Sequence, residues 1–163
     1  MQDRENTVGA GAPGWAFESL AKAHLGHLAC STKDGKPLVV PICFAFDGSM
    51  IYSAIDEKPK RAQPFALRRV SNIVENPNVC FVVDEYSEDW RKLQYVLIDG
   101  LATVLNEGQE FDAAISRLRK KYRQYRLMKL EVRPVIKIKP VRIVAWKAKF
   151  RTASRTLKPK AYD

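Results

Sequence analysis

Ser53, Lys58, Lys60 and Arg61 fall within nine residues at the end of an apolar run, "SMIYSAIDEKPKR". A serine hydroxyl donates one hydrogen bond, a lysine offers a compact charge, and an arginine presents a fork of N–H donors. Such charge-assisted bonds are worth roughly 1.5–3 kcal/mol each. Together these residue types suit a phosphate group, and Pro59 stiffens the loop that would carry it. Arg68 and Arg69 follow in a helix that the pattern starts near Gln63, with Pro64 in its first turn, and whose positive dipole end could add to the site. A solvated charged turn is the other reading of the same residues, and composition alone leaves both open.

No other chemistry stands out. Cys30, Cys43 and Cys80 lie in or beside apolar runs without a C-x-x-C pair, which reads as reduced, buried thiols. His24, His27 and Cys30 stand three residues apart, but they straddle a helix end and a strand and have no fourth ligand. No Ser-His-Asp set and no paired carboxylates appear, so no catalytic acid or base and no metal ligand is assigned.

The elements that must position the cationic loop follow from periodicity. "WAFESLAKAHL" has helical spacing and predicts a helix over Gly14 to Leu25. Two Asp-Gly turns then separate three strands, Gly26 to Thr32, Pro37 to Phe46 and Met50 to Ile55, a three-stranded antiparallel meander. After the loop and its helix come a buried strand, "NVCFVVDEY", and a long one, "LQYVLIDGLATVL", in which Gly100 signals a bulge or a close backbone approach. Asn106-x-x-Gln109 reads as a capping box, and Phe111, Ile115, Leu118, Tyr122 and Tyr125 trace an apolar stripe behind it. "EVRPVIKIKPVRIVAW" offers two last strand-like runs around Pro140. This order predicts a mainly β chain, a small barrel of six to seven antiparallel strands with peripheral helices.

The middle strand carries the most information. Leu38, Val40, Ile42, Phe44 and Phe46 share one face by the period of two, a bulky face that reads as core. Val39, Pro41, Cys43 and Ala45 share the other, a face of small side chains that would let a flat group approach the backbone or would pack a second small-residue layer. Pro41 lacks a backbone donor, which places this strand at an edge or a bulge.

The block from His27 to Tyr86 resembles the pyridoxamine 5'-phosphate oxidase-like split-barrel family of flavin- and deazaflavin-binding proteins. The features that carry the resemblance are "HLACSTKDGKPLVVPICFAFDG", "MIYSAIDEKPKR" and "RRVSNIVENPNVCFVVDEY", in that order. "YSEDWRKLQYVLIDGLATVL", "LRKKYRQYR" and "VRIVAW" are similar to the branch often assigned to coenzyme F-420, a deazaflavin. The resemblance implies a split β-barrel (FMN-binding split-barrel type) that forms a homodimer with its cofactor at the subunit interface. The cofactor would be FMN, with coenzyme F-420 as the alternative, and the activity an oxidoreductase acting on a small organic substrate. Carried over by position, Lys58, Lys60 and Arg61 would meet the cofactor phosphate with Ser53 assisting. Pro41, Ile42 and Cys43 would present backbone to the ring system, and Ser53 and Ala54 would border it. Trp146 would be an aromatic near the ring edge or a core side chain, and Trp90 an interface or surface residue. The chain departs from the family pattern in the extra residues "AQPFALR", which unsettles the roles of Arg68 and Arg69. No match to the substrate-binding motif of pyridoxamine phosphate oxidase itself is found.

Net charge is +10 over 163 residues. Six Lys or Arg against one Asp lie in "KAKFRTASRTLKPKAYD", so half of the excess sits in a basic tail. Residues 1–14 read as a lead-in, 15–147 as the cofactor-binding domain and 148–163 as the tail. No apolar run reaches membrane-spanning length and no signal peptide is evident, which predicts a cytoplasmic protein with no membrane segment. Two other function classes stay open on these residues. One is a nucleic-acid-binding module built on the tail and "RLRKKYRQYR", against which Tyr122 and Tyr125 fall on the apolar stripe. The other is a non-catalytic flavin carrier or sensor.

Overall fold

A computed structural model describes residues 6–7, 11–56 and 67–148. Eight strands form one antiparallel sheet: β1 (Asn6–Thr7), β2 (Gly26–Ser31), β3 (Pro37–Ile42), β4 (Ala45–Phe46), β5 (Ile51–Ala54), β6 (Asn78–Glu85), β7 (Gln94–Leu105) and β8 (Val135–Lys147). Three helices accompany them: α1 (Gly14–Lys22), α2 (Arg68–Glu75) and α3 (Gln109–Lys121). The strand order is β3-β2-β6-β7-β8-β5-β4, with β1 paired to β8.

The two ends of that order, β3 and β4, are consecutive in the chain. Only Cys43 and Phe44 separate them, and three residue steps span at most about 11 Å. The sheet therefore has to curl until its edges meet, which makes it a split barrel. The predicted middle strand thus breaks in two: its first half pairs with β2 and its second half with β5. The meander becomes two hairpins on opposite edges, and both Asp-Gly turns hold, with Gly35 and Gly48 at φ 84° and 104°. β3 lies at the edge of the sheet, where Pro41 leaves no pairing unmet.

Inward-facing residues from every long strand build one core. It includes Leu28, Phe44, Ile51, Phe81, Val96, Ile98, Ile136 and Ile138, and α1 and α2 add Leu20, Val70 and Ile73. α3 covers the outer face of β4, β5 and the start of β8. There Phe111, Ile115 and Leu118 pack with Ala45, Tyr52, Ala54 and Val135 in a second cluster.

β8 is a single strand of 13 residues, although its sequence reads as two. Its inward residues change parity, from Ile136 and Ile138 to Ile143 and Ala145. The register slips where Asp99 pairs with Arg142 but Gly100 pairs with Pro140, so Val141 is the extra residue of a bulge. The bulge keeps both halves facing the core and accommodates a proline inside the strand. α2 opens at Arg68 rather than near Gln63, because Leu67 is extended (φ −67°, ψ 132°). The capping box does not form: Gly108 holds the N-cap position of α3 and no side chain caps the helix there. α1 ends at Lys22, three residues before the predicted Leu25.

A Cβ placed on Gly100 would stand 2.8 Å from the Lys139 carbonyl oxygen and 2.8 Å from Ile138 Cγ2. One of those neighbours is backbone fixed in the sheet, so Gly100→Ala should cost about 1–3 kcal/mol. Thermal or urea unfolding of the variant measures this.

Candidate cofactor site

The crossover from β3 to β4 creates a local deficit. At Phe44 the backbone leaves one sheet edge and has not yet joined the other, while its side chain is buried against Phe81 (ring centroids 4.9 Å apart). Tyr122, just past the end of α3, fills the gap. Its hydroxyl accepts the Phe44 N–H at 2.9 Å and lies 2.8 Å from the Phe44 carbonyl and 2.7 Å from that of His24, between which it places its one proton. Burial pushes the Tyr122 pKa up to about 12, so it remains a phenol. Beside it Lys121 donates to the Ala23 carbonyl at 2.5 Å and rides 4.2 Å over the Phe44 ring. Burial nevertheless lowers its pKa to about 8.

The crossover also gathers several of the predicted site residues. Ile42 is buried at the end of β3, and Pro41 before it is exposed. Cys43 is half-buried and packs against the α3 cluster, where its thiol is a hydrogen-bond partner of Tyr125. Burial pushes the Tyr125 pKa upward. Ala45 pairs with Tyr52, and Cys43 and Ala54 belong to the same cluster under α3. Val39 and Pro41 face outward on the open part of the small-residue face, and Ala45 lies under α3.

Ser53 and Ala54 end β5 on opposite faces. Ala54 meets the α3 cluster. Ser53 alternates with Ile51 and Ile55 toward the interior and is 3% exposed. It therefore reaches a ligand only if that ligand enters the end of the barrel. Asp56 follows, also buried, and two arginines converge on it. Arg133 Nη1 lies 3.4 Å from the Asp56 carbonyl oxygen. Burial lowers the pKa of Arg69, on α2, against the opposing charge of Asp56. The Nε atoms of Arg69 and Arg133 are both buried with no hydrogen-bond partner. A buried N–H without an acceptor costs on the order of 1–3 kcal/mol, more when charged, so the end of β5 is a place that an anion would complete.

Lys58, Lys60 and Arg61 lie outside the described residues, as does the tail beyond residue 148. Trp146 stacks on Tyr95 at 5.6 Å, far from this site within one chain. It stands ten residues along β8 from Ile136, the partner of Ser53, or about 30 Å of strand. Trp90 is 64% exposed in a short 3-10 turn (Trp90–Lys92). His27 and Cys30 point to opposite faces of β2, so they do not share a site with His24. Sequence reasoning missed Arg133 altogether. Its only sign is a cation directly before Pro134 at the start of the last strand.

With this geometry in view, the comparisons are direct. A family model described as pyridoxamine 5'-phosphate oxidase matches residues 16–147, and the chain belongs to this family of split-barrel proteins. No curated protein matches it. Among solved structures it is similar to a conserved hypothetical protein from Mycobacterium tuberculosis, with TM-score 0.71, 16% identity and 91% of each chain covered. An FAD-binding protein from Mesorhizobium loti aligns with TM-score 0.63 and 23% identity, over 86% of this chain and 96% of that one. An F420 reductase aligns with TM-score 0.59 and 20% identity, over 81% and 98%. Likeness at these identities establishes the shared fold.

Removing the hydroxyl that spans the crossover should leave the Phe44 N–H buried and unpaired. Tyr122→Phe is expected to lose about 1–3 kcal/mol of stability. Equilibrium denaturation compared with Tyr125→Phe, which leaves the Phe44 bonds intact, isolates the effect.

Proposed function

We propose that the chain is a flavin- or deazaflavin-dependent oxidoreductase acting on a small organic substrate, with FMN as cofactor and coenzyme F-420 as the alternative. The observation that carries this reading is the pair of buried guanidinium N–H groups without acceptors at the end of β5. Family membership and an FAD-binding and an F420-reducing structural neighbour support it. The cofactor's phosphate fits between Arg69 and Arg133, with Ser53 inside the barrel end and Lys58, Lys60 and Arg61 contributing from the following loop. Asp56 sets its charge beside Arg69 and its backbone carbonyl beside Arg133. Pro41, Ile42 and Cys43 offer backbone and small side chains to the ring, and Ala54 borders it from β5.

A bound flavin or deazaflavin supplies the hydride chemistry, and the protein supplies binding, orientation and exclusion of water. Here the fixed crossover, held by Tyr122, provides the orientation. The Tyr125 hydroxyl, kept protonated by burial, is a neutral hydrogen-bond partner for Cys43 beside it.

The second subunit belongs to the same proposal. α3 covers only the β4, β5 and early β8 part of the outer sheet face. The remaining part exposes Val39 (62%), Leu101 (42%) and Val141 (53%) around a shallow groove of about 540 Å³. At its rim Arg142 and Asp99 form an ion pair at 2.6 Å. An apolar, self-complementary patch of this kind suits an isologous homodimer, and a two-fold contact would bring Trp146 of the partner toward the cofactor.

Titration of the purified chain with FMN and with coenzyme F-420, followed by visible absorbance and fluorescence, tests the cofactor. One of them should bind, and Arg69→Met with Arg133→Met should weaken it by about tenfold or more while leaving riboflavin binding unchanged. Binding of neither cofactor, or equal loss for riboflavin, overturns the reading. Light scattering coupled to size exclusion should show a dimer that Val39→Asp shifts toward monomer.

A further inference from the structure

The segment between α3 and β8 turns Tyr125 and Arg133 inward to the site already described, but its outer face serves no part of that site. It folds as two 3-10 turns, Arg123–Leu127 and Leu130–Val132, fixed on the body of the protein by Tyr125 and Leu130, both buried. Arg119 sets its shape. Its guanidinium donates to the Tyr125 carbonyl at 3.2 Å, to the Met128 carbonyl at 2.9 Å and to Glu131 at 2.5 Å. Arg126 donates back to the Arg119 carbonyl at 3.1 Å. The result is a braced knob that holds Leu127 91% exposed and Val132 71% exposed. A single exposed aliphatic side chain is ordinary on a protein surface, and what distinguishes Leu127 is the charge beside it.

Charge surrounds the tip. Of the seven Lys or Arg from Arg119 to Arg133, Arg119 is paired with Glu131, Lys121 lies over the Phe44 ring and Arg133 turns to the Asp56 carbonyl, and the others are left to the outer face. Arg123, Arg126 and Lys129 are exposed beside Leu127. An aliphatic tip ringed by cations complements a surface that is anionic outside and hydrocarbon just beneath. We infer that the knob presenting Leu127 docks the protein peripherally on anionic lipid surfaces, without any segment crossing the membrane.

A nucleic acid is the other polyanion that a basic patch could meet. Binding to single strands uses aromatic faces on which bases stack. Here Tyr122 and Tyr125, the aromatics interleaved with these cations, are 8% and 4% exposed and engaged in the crossover. The side chains that the knob does offer to a partner are aliphatic, which favours lipid.

The full-length protein, with and without bound cofactor, is sedimented with phosphatidylcholine vesicles containing about one-third phosphatidylserine, and with vesicles of phosphatidylcholine alone. Binding is expected only to the anionic vesicles and should weaken as salt rises. Leu127→Asp should lower the bound fraction by about tenfold or more, and Arg123→Gln with Arg126→Gln by a similar factor. Far-UV circular dichroism and FMN affinity of the variants should match the parent, which separates this surface from the cofactor reading. No binding to anionic vesicles overturns the inference, as does equal binding by Leu127→Asp. Binding of single-stranded oligonucleotides that ignores Leu127→Asp, or a change of oligomeric state on that substitution, overturns it in favour of a nucleic-acid or subunit contact.

Discussion

The structure depends on a crossing of two residues. Cys43 and Phe44 carry the chain from one edge of the sheet to the other, and in doing so they force the sheet to close. A chain in transit between edges loses its ladder partners, and buried backbone groups cannot stay unpaired without cost. The Tyr122 hydroxyl meets the Phe44 N–H and two nearby carbonyls from a position 78 residues away in sequence. One side chain thus ties the end of α3, the end of the α1 region and the seam of the barrel into a single unit. The same closure gathers Cys43 and Ala54 into the cluster under α3 and turns Ile42 inward.

The electrostatics of the barrel end follow from that closure. The end of β5, α2 and the turn before β8 bring Arg69, Arg133 and Asp56 together: Arg69 feels the Asp56 charge, and Arg133 lies against the Asp56 backbone carbonyl. Burial works against the charge on Arg69, yet an arginine does not give up its proton in a protein. The buried Nε groups of Arg69 and Arg133 lack an acceptor among the described residues, which gives a physical reason to expect an anionic group there. Lys121 shows the other outcome. Burial lowers its pKa to about 8, because a lysine can release its proton where an arginine cannot.

Much of the architecture was legible from local pattern. The Asp-Gly turns, the inward stripe of α3, the edge position of the Pro41 strand and the irregularity at Gly100 all follow from short-range rules. The failures share a cause. The middle strand reads as continuous because its alternation runs unbroken from Leu38 to Phe46, and nothing local shows that its halves pair with different partners. β8 reads as two runs because a bulge reverses the parity of its inward residues, an effect of pairing with β7. The capping box was a valid local option that lost to a helix start two residues later. The site divides in the same way. Residues beside the seam could be named from the strand pattern and the family resemblance. Arg133 enters through a contact with Asp56 that spans 77 positions and leaves no periodic trace.

The strong positive charge of the chain, read as one quantity, points to no particular partner. Its placement does. Guanidinium groups turned inward at the barrel end are desolvated, so they discriminate by geometry and suit a small anion that fills a defined volume. Guanidinium and ammonium groups turned outward around Leu127 stay hydrated and act through a field that salt screens within about 10 Å. Arg119, Arg126 and Arg133 follow one another at seven-residue spacing, yet the first braces the turns, the second lies exposed beside Leu127 and the third turns inward to the Asp56 carbonyl.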